Sequence, residues 1–216
     1  MTGKRPTRRP PTTPKTKAPA RSRAALDRLL SERNEHPERL EEIDRAIHDA
    51  FCETRAILVL DMCGFSRLTM RHGIAHFLAM IHRLHGLVFP VVARHHGRVI
   101  KTDADNVFAT FADAPQAVAA ARGIHARLAD ANVYLPEDWD LHASLGIGYG
   151  PTLLVGDDDL FGNEVNIASK LGEDIAGRGE TLLTAAARGR LPEETRVEPR
   201  AIEVSAMTVT AFKLLD

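Results

Sequence analysis

Residues 56–60 read Ala-Ile-Leu-Val-Leu, an unbroken apolar run that stops at Asp61. A strand with one wet face alternates apolar and polar residues, whereas a continuous run marks a strand covered on both faces. Such a strand sits inside a sheet that has helices packed on it. The sequence downstream supplies them. Residues 66–96 have a helical pattern, interrupted near Gly73 and at Pro90. A hairpin is predicted over 98–112, then a helix from an Asp113 cap, with Pro115 in its first turn, to about Asn132. A strand at 142–150 turns at Gly150 and Pro151 into residues 152–156, and a helix runs from about Asn163 to Ala176. Short strands at 181–184, 200–204 and 208–215 complete the set. There is no internal repeat. The pattern predicts an α/β fold, a mixed sheet with packed helices.

The formal net charge of −1 hides an asymmetry. Residues 1–23 hold eight basic residues, five prolines and no acid, leaving 20 basic against 29 acidic residues in the remainder. The tail cannot bury enough apolar surface to offset its ordering entropy and is expected to be disordered. An acidic body argues against specific nucleic-acid binding, which needs a basic surface. Residues 24–51 read as helical, with Pro37 in a first turn and Leu40, Ile43, Ile47 and Ala50 or Phe51 on one stripe. That stripe packs either on the following domain, 52–216, or on a second copy, serving dimerisation or signal transmission. No apolar run approaches the ~20 residues of a membrane span, the tail has no secretory pattern, and two cysteines give no disulfide framework. These features together predict a cytoplasmic protein.

Two places carry chemistry. Asp61 ends the buried strand just ahead of Gly64 and of Ser66, a helix N-cap candidate. A carboxylate there can hold a metal ion beside phosphates that the helix N–H groups receive. The second place is the hairpin Gly-Arg-Val-Ile-Lys-Thr-Asp-Ala-Asp-Asn-Val-Phe-Ala-Thr-Phe, residues 97–111, with Lys101, Asp103 and Asp105 close to its tip. If this hairpin lies beside strand 56–61, Asp105 approaches Asp61. Two carboxylates at adjacent strand ends repel unless a cation sits between them, and such a pair can hold two divalent ions on a triphosphate.

These segments resemble the catalytic domain of class III adenylate and guanylate cyclases. Leu58–Thr69 is similar to that family's first metal motif, an aspartate ending strand one ahead of a Gly-Phe-Ser turn, here Gly64, Phe65 and Ser66. The hairpin resembles its lysine-to-aspartate hairpin, and residues 142–156 and 158–171, with Phe-Gly-x-x-Val-Asn, resemble its later strand and helix. The resemblance covers about residues 56–187. It implies a ferredoxin-like, palm-like sheet and sites shared across a homodimer. Asp61 and Asp105 would hold two Mg²⁺ or Mn²⁺ ions per site. Lys101 and Asp159 would recognise the purine, Asn166 would orient the ribose, and Lys170 would stand at the transition-state cation. The implied activity is conversion of ATP to cyclic AMP. Guanine could meet the same lysine–aspartate pair in a shifted pose, so a guanylate cyclase is an alternative. A Gly-Gly-Asp/Glu-Glu-Phe turn, as in diguanylate cyclases, is absent from the hairpin.

Three departures favour another alternative, a degenerate cyclase fold that binds nucleotide or an unidentified regulatory partner without turnover. Lys170 replaces an arginine, exchanging a rigid fork of donors for one mobile charge. Ala104 replaces the hairpin glycine, straining any turn that needs positive φ unless Asn106 takes over that geometry. The last strands lack a glycine-and-lysine turn, and Lys213 is out of register to replace it. Remaining motifs have structural readings: the glycines of 145–150 lie in a strand, His72 and His76 share a solvated helix face, and Cys63 is a small core residue.

Overall fold

A computed structural model of the chain describes residues 21–64, 70–136, 139–204 and 207–215. Two helices precede the sheet. Helix α1 (Arg23–Glu35) starts at Ser22, whose hydroxyl accepts the Ala25 N–H. Helix α2 (Leu40–Phe51) follows a turn that begins at Pro37. Its stripe does not face solvent: Ile43, Ile47 and Phe51 are buried with Leu26 of α1 and with Val155 of the same chain.

Strand β1 (Cys52–Met62) holds the apolar run and lies mid-sheet. Its even residues, Ala56, Leu58, Leu60 and Met62, join the main core with Phe77, Met80, Leu84 and Ile124. Its odd residues Ile57 and Val59 join a second cluster with Ile100, Phe108, Val165 and Ala168. Both faces are covered, as the unbroken run requires.

The other strands are β2 (Arg98–Asp103), β3 (Asn106–Phe111), β4 (Ala143–Val155), β5 (Asp159–Phe161), β6 (Thr181–Leu183), β7 (Val197–Val204) and β8 (Met207–Leu214). They form an eight-stranded mixed sheet in the order β2-β3-β1-β4-β6-β8-β7, with β5 paired to β4. β4 and β6 run parallel; β1 runs antiparallel to both neighbours, with Leu60 opposite Val107 of β3 and Asp61 opposite Ser144 of β4. This order sets the hairpin β2–β3 beside β1, as expected.

The structure corrects three local expectations. Helix α3 (Ile74–Arg94) runs unbroken through Pro90, and by length and composition alone it is long and apolar enough to cross a membrane. Pro90 has no N–H and so forfeits the ladder bond to the Gly86 carbonyl. Burial of Leu84, Val88, Val91 and Val92 outweighs the loss. The interruption near Gly73 is real, since Gly73 precedes the helix at φ 82°. Second, β4 continues through Gly150 and Pro151 to Val155 instead of turning. Residues 148–152 pair only with β1, between the segments that pair with β6 and β5, so a proline can turn its donorless nitrogen to the unpaired side.

Helix α4 (Ala114–Asn132) begins at Asp113, which accepts the Gln116 N–H at 2.9 Å. On the other side of the sheet, helix α5 (Asn163–Ser169) continues into a wide π-helical turn, Lys170–Ile175. Glycines of β4 let this unit lie against the sheet. A Cβ on Gly146 would stand 2.0 Å from the Ala168 carbonyl oxygen, and one on Gly148 2.6 Å from that of Glu164. The glycine spacing of 145–150 is therefore a packing device.

The third correction concerns the hairpin tip. Asp103 pairs with Asn106, leaving Ala104 and Asp105 as the turn, and Ala104 takes φ 51°. Asn106 lies in β3 and does not relieve it. The left-handed region costs an L-residue about 1–2 kcal/mol, part of which a glycine returns through its freer unfolded chain. Replacing Ala104→Gly is therefore expected to raise unfolding stability by up to about 1 kcal/mol. An unchanged or lower midpoint in urea would contradict strain at this turn.

Candidate active site

The fold gathers carboxylates at one end of the sheet. Asp61 terminates β1, and Asp105 sits one strand over in the β2–β3 turn with only 8% of its surface exposed. Burial pushes Asp61 up to about 7, and the charges that reinforce the shift are carboxylates: Asp105, Glu173 and Asp174. Burial likewise raises Asp105. Glu173, delivered by the π-helical turn, is raised by burial and then by Asp174, with Asp103 and Asp105 adding and a Ser169 hydrogen bond opposing. Buried Asp105 and half-buried Asp61, with the exposed Glu173 close enough to act on them, suit a hard divalent cation. Among the described residues no group of three or more His, Cys, Asp or Glu side chains is placed to enclose a metal. Two carboxylates leave coordination positions for water and phosphate oxygen, the usual arrangement for Mg²⁺. Asp61 and Asp105 therefore fit the implied ions. Gly64 turns the chain after β1 at φ 93°, while Phe65 and Ser66, like the basic tail up to residue 20, lie outside the described residues.

A second pair forms where β2 meets β5. Lys101 Nζ donates to Asp159 Oδ1 at 2.8 Å, with the ammonium 4.9 Å from the Phe108 ring centroid. Burial works against the Asp159 charge, but hydrogen bonds from Lys101, Arg23 and the Leu160 N–H hold its pKa below the usual carboxylate value. A cationic donor beside an anionic acceptor can meet a purine edge that offers one acceptor and one donor.

Asn166 lies exposed on α5, one turn after Gly162, whose carbonyl accepts the Asn166 N–H at 3.1 Å. Lys170 opens the π-helical turn and donates to Asp174 at 2.6 Å, a largely exposed pair. The structure thus joins Asp61 with Asp105 and Lys101 with Asp159, and keeps Asn166 and Lys170 on a separate element. Lys213 points elsewhere: with Arg200 it grips Glu180, whose pKa falls to about 2, chiefly through the Lys213 hydrogen bond.

Two residues escaped the sequence reading. Glu173 joins the acidic cluster only because the helix ends in a π turn, which no periodicity announces. Arg23 reaches Asp159 from 136 residues away. The other flagged residues behave structurally. His76 packs edge-on against Trp139 with His72 beside it, and burial raises the Cys63 thiol pKa, keeping it protonated.

No protein-family model matches the chain. It is 36% identical over 124 residues to a Rhizobium meliloti protein called "Putative adenylate cyclase 3", covering 57% of this chain and 21%, about a fifth, of that protein. Among solved structures, an adenylate/guanylate cyclase/hydrolase from Silicibacter pomeroyi matches at 24% identity and a TM-score of 0.64, over 76% of this chain and 98% of that one. The adenylyl cyclase CyaB from P. aeruginosa matches at 20% identity and a TM-score of 0.63, over 76% and 96%. The catalytic core of a rhodopsin-guanylyl cyclase with converted specificity, in complex with ATPαS, matches at 17% identity and a TM-score of 0.66, over 75% and 94%. The chain thus shares the fold of solved adenylate and guanylate cyclase catalytic structures, and 124 residues of it are similar in sequence to about a fifth of a protein called a putative adenylate cyclase.

Proposed function

We propose that the chain is an adenylate cyclase, converting ATP to 3′,5′-cyclic AMP and pyrophosphate at a homodimer interface in intracellular signalling. The observation that carries this reading is the pairing of two charge sets on one hairpin: Asp105 beside Asp61, and Lys101 against Asp159. Asp61 and Asp105 would hold two Mg²⁺ or Mn²⁺ ions, which would supply Lewis-acid charge for the phosphoryl group and lower the pKa of the attacking hydroxyl. Gly64, Phe65 and Ser66, which follow β1 in sequence, receive the phosphates. Lys101 donates to adenine N1, and Asp159 accepts from the 6-amino group. Asn166 orients the ribose so that its 3′-oxygen attacks the α-phosphorus as the bond to pyrophosphate breaks. Lys170 donates to the phosphoryl oxygens as charge builds there.

In a two-fold dimer the metal carboxylates of one copy face the purine, ribose and phosphoryl residues of the other, giving two equivalent sites. This division suits a hairpin that carries both Lys101 and Asp105, since each can then serve a different site. A second reading, a nucleotide-binding regulatory module without turnover, is supported by the Lys170–Asp174 pair, which neutralises the intended cation. Guanylate cyclase activity is the lesser alternative, and the Lys101–Asp159 pair is compatible with it.

Asp61→Ala or Asp105→Ala is expected to abolish cyclic AMP formation while leaving the circular dichroism spectrum unchanged. Turnover that survives either change would remove the proposed metal site. Lys170→Arg should raise kcat, by up to about tenfold, since a lost stabiliser of this kind costs ~10²–10³ and lysine already supplies the charge. A fall in kcat would mean that the site is adapted to lysine. Loss of turnover in every variant and in the parent, with nucleotide still bound, would select the regulatory module.

Asp61 also sets a pH dependence. Its folded pKa of about 7 lies above the ordinary aspartate value of 3.8, so between those values the folded state holds a proton that the unfolded state lacks. Stability in cation-free buffer is therefore expected to fall as pH rises from about 4 to about 7. A divalent cation needs the ionised form. The rise in melting temperature on adding Mg²⁺ or Mn²⁺ should be larger at pH 8 than at pH 5. An equal rise at both would contradict cation binding through Asp61.

A further inference from the structure

We propose that Arg23 is a latch that closes the purine subsite from within the same chain, by occupying the Asp159 oxygen that a base's amino group would use. The proposal rests on the reading of Asp159 as the base-recognising carboxylate. Its geometry is explicit. Asp159 Oδ1 is already engaged by Lys101 Nζ at 2.8 Å and by the Leu160 N–H at 2.9 Å. The other oxygen, Oδ2, receives Arg23 at 2.5 Å. A carboxylate offers about four acceptor positions, and the three taken leave the open oxygen covered by a guanidinium. The same guanidinium stands 5.5 Å from the ring centroid of Phe161, an exposed aromatic two residues on.

The latch is held at both ends. On one side Arg21 donates to the Ala50 carbonyl at 2.9 Å and pairs with Glu53, and its own carbonyl lies against the tight turn at Gly156. On the other side Leu26 is buried with Ile43, Ile47, Phe51 and Val155. Arg23 sits between these anchors, so it meets Asp159 as a tethered competitor whose effective concentration free nucleotide must overcome. The contact is also releasable. Arg23 is half exposed, and an ion pair of that exposure is worth little, which limits the penalty on nucleotide binding to about two- to fivefold.

The test is equilibrium binding by titration calorimetry of full-length protein with an ATP analogue carrying a methylene bridge between the α- and β-phosphates, in Mg²⁺. Wild type, Arg23→Ala, Asp159→Ala and the double variant are compared, with KM and kcat for ATP measured alongside. The latch predicts that Arg23→Ala binds the analogue about two- to fivefold more tightly and lowers KM without changing kcat. It also predicts that Asp159→Ala weakens binding and that Arg23→Ala adds nothing on that background. If Asp159→Ala weakens binding but Arg23→Ala leaves it unchanged or weaker, the latch is wrong and the base reading stands. Equal tightening by Arg23→Ala in both backgrounds would also overturn it, because the effect would not pass through the carboxylate. If Asp159→Ala leaves binding unaltered, or no variant binds the analogue, the base reading fails and the latch with it.

Discussion

The structure turns on the repulsion between a buried carboxylate, Asp105, and a half-buried one, Asp61. Asp61 and Asp105 are brought together by the pairing of β1 with the β2–β3 hairpin, and Glu173 is pressed toward them by the π-helical turn. Such an assembly costs free energy in a metal-free protein, because each charge is partly desolvated and faces others of its sign. Several features of the chain are arranged to impose it. The covered β1 fixes Asp61 at a rigid strand end, and glycines in β4 let α5 and its π turn approach the sheet. The hairpin tip holds Asp105 inward while Ala104 takes a left-handed conformation. Strain of several kinds converging on one pair of acids is expected where function, rather than stability, selects the residues.

The sequence carries this centre clearly because its determinants are local. The apolar run ending in Asp61 specifies a strand buried on both faces, and the alternating clusters around Leu58 and Val59 agree with it. The hairpin with acids at its tip needs only one further assumption, that it pairs with β1, to bring Asp105 to Asp61. Lys101 and Asp159 are 58 residues apart, and their meeting is legible through the family resemblance rather than through spacing.

What sequence misses is long-range or depends on compensation. Pro90 reads as a break because propensity counts the lost hydrogen bond, whereas the buried face of α3 decides the outcome. Pro151 reads as a turn, but a strand edge unpaired at that point tolerates it. The contact of Arg23 with Asp159 has no local signature at all. It arises from the docking of α1 and α2 on the end of β4, which the stripe of Ile43, Ile47 and Phe51 permits without specifying.

On the proposed reading the two charge sets of one chain belong to different active sites, and that division is the central claim of the account. Mixing two inactive variants tests it most directly. Asp61→Ala lacks metal carboxylates in one half of each site, and Asn166→Ala lacks the ribose-orienting group in the other. A heterodimer of the two contains one site with both defects and one with neither. Cyclic AMP formation measured on isolated heterodimers is predicted to return to about half that of the parent dimer. Heterodimers as inactive as either variant alone would contradict a site shared between two copies.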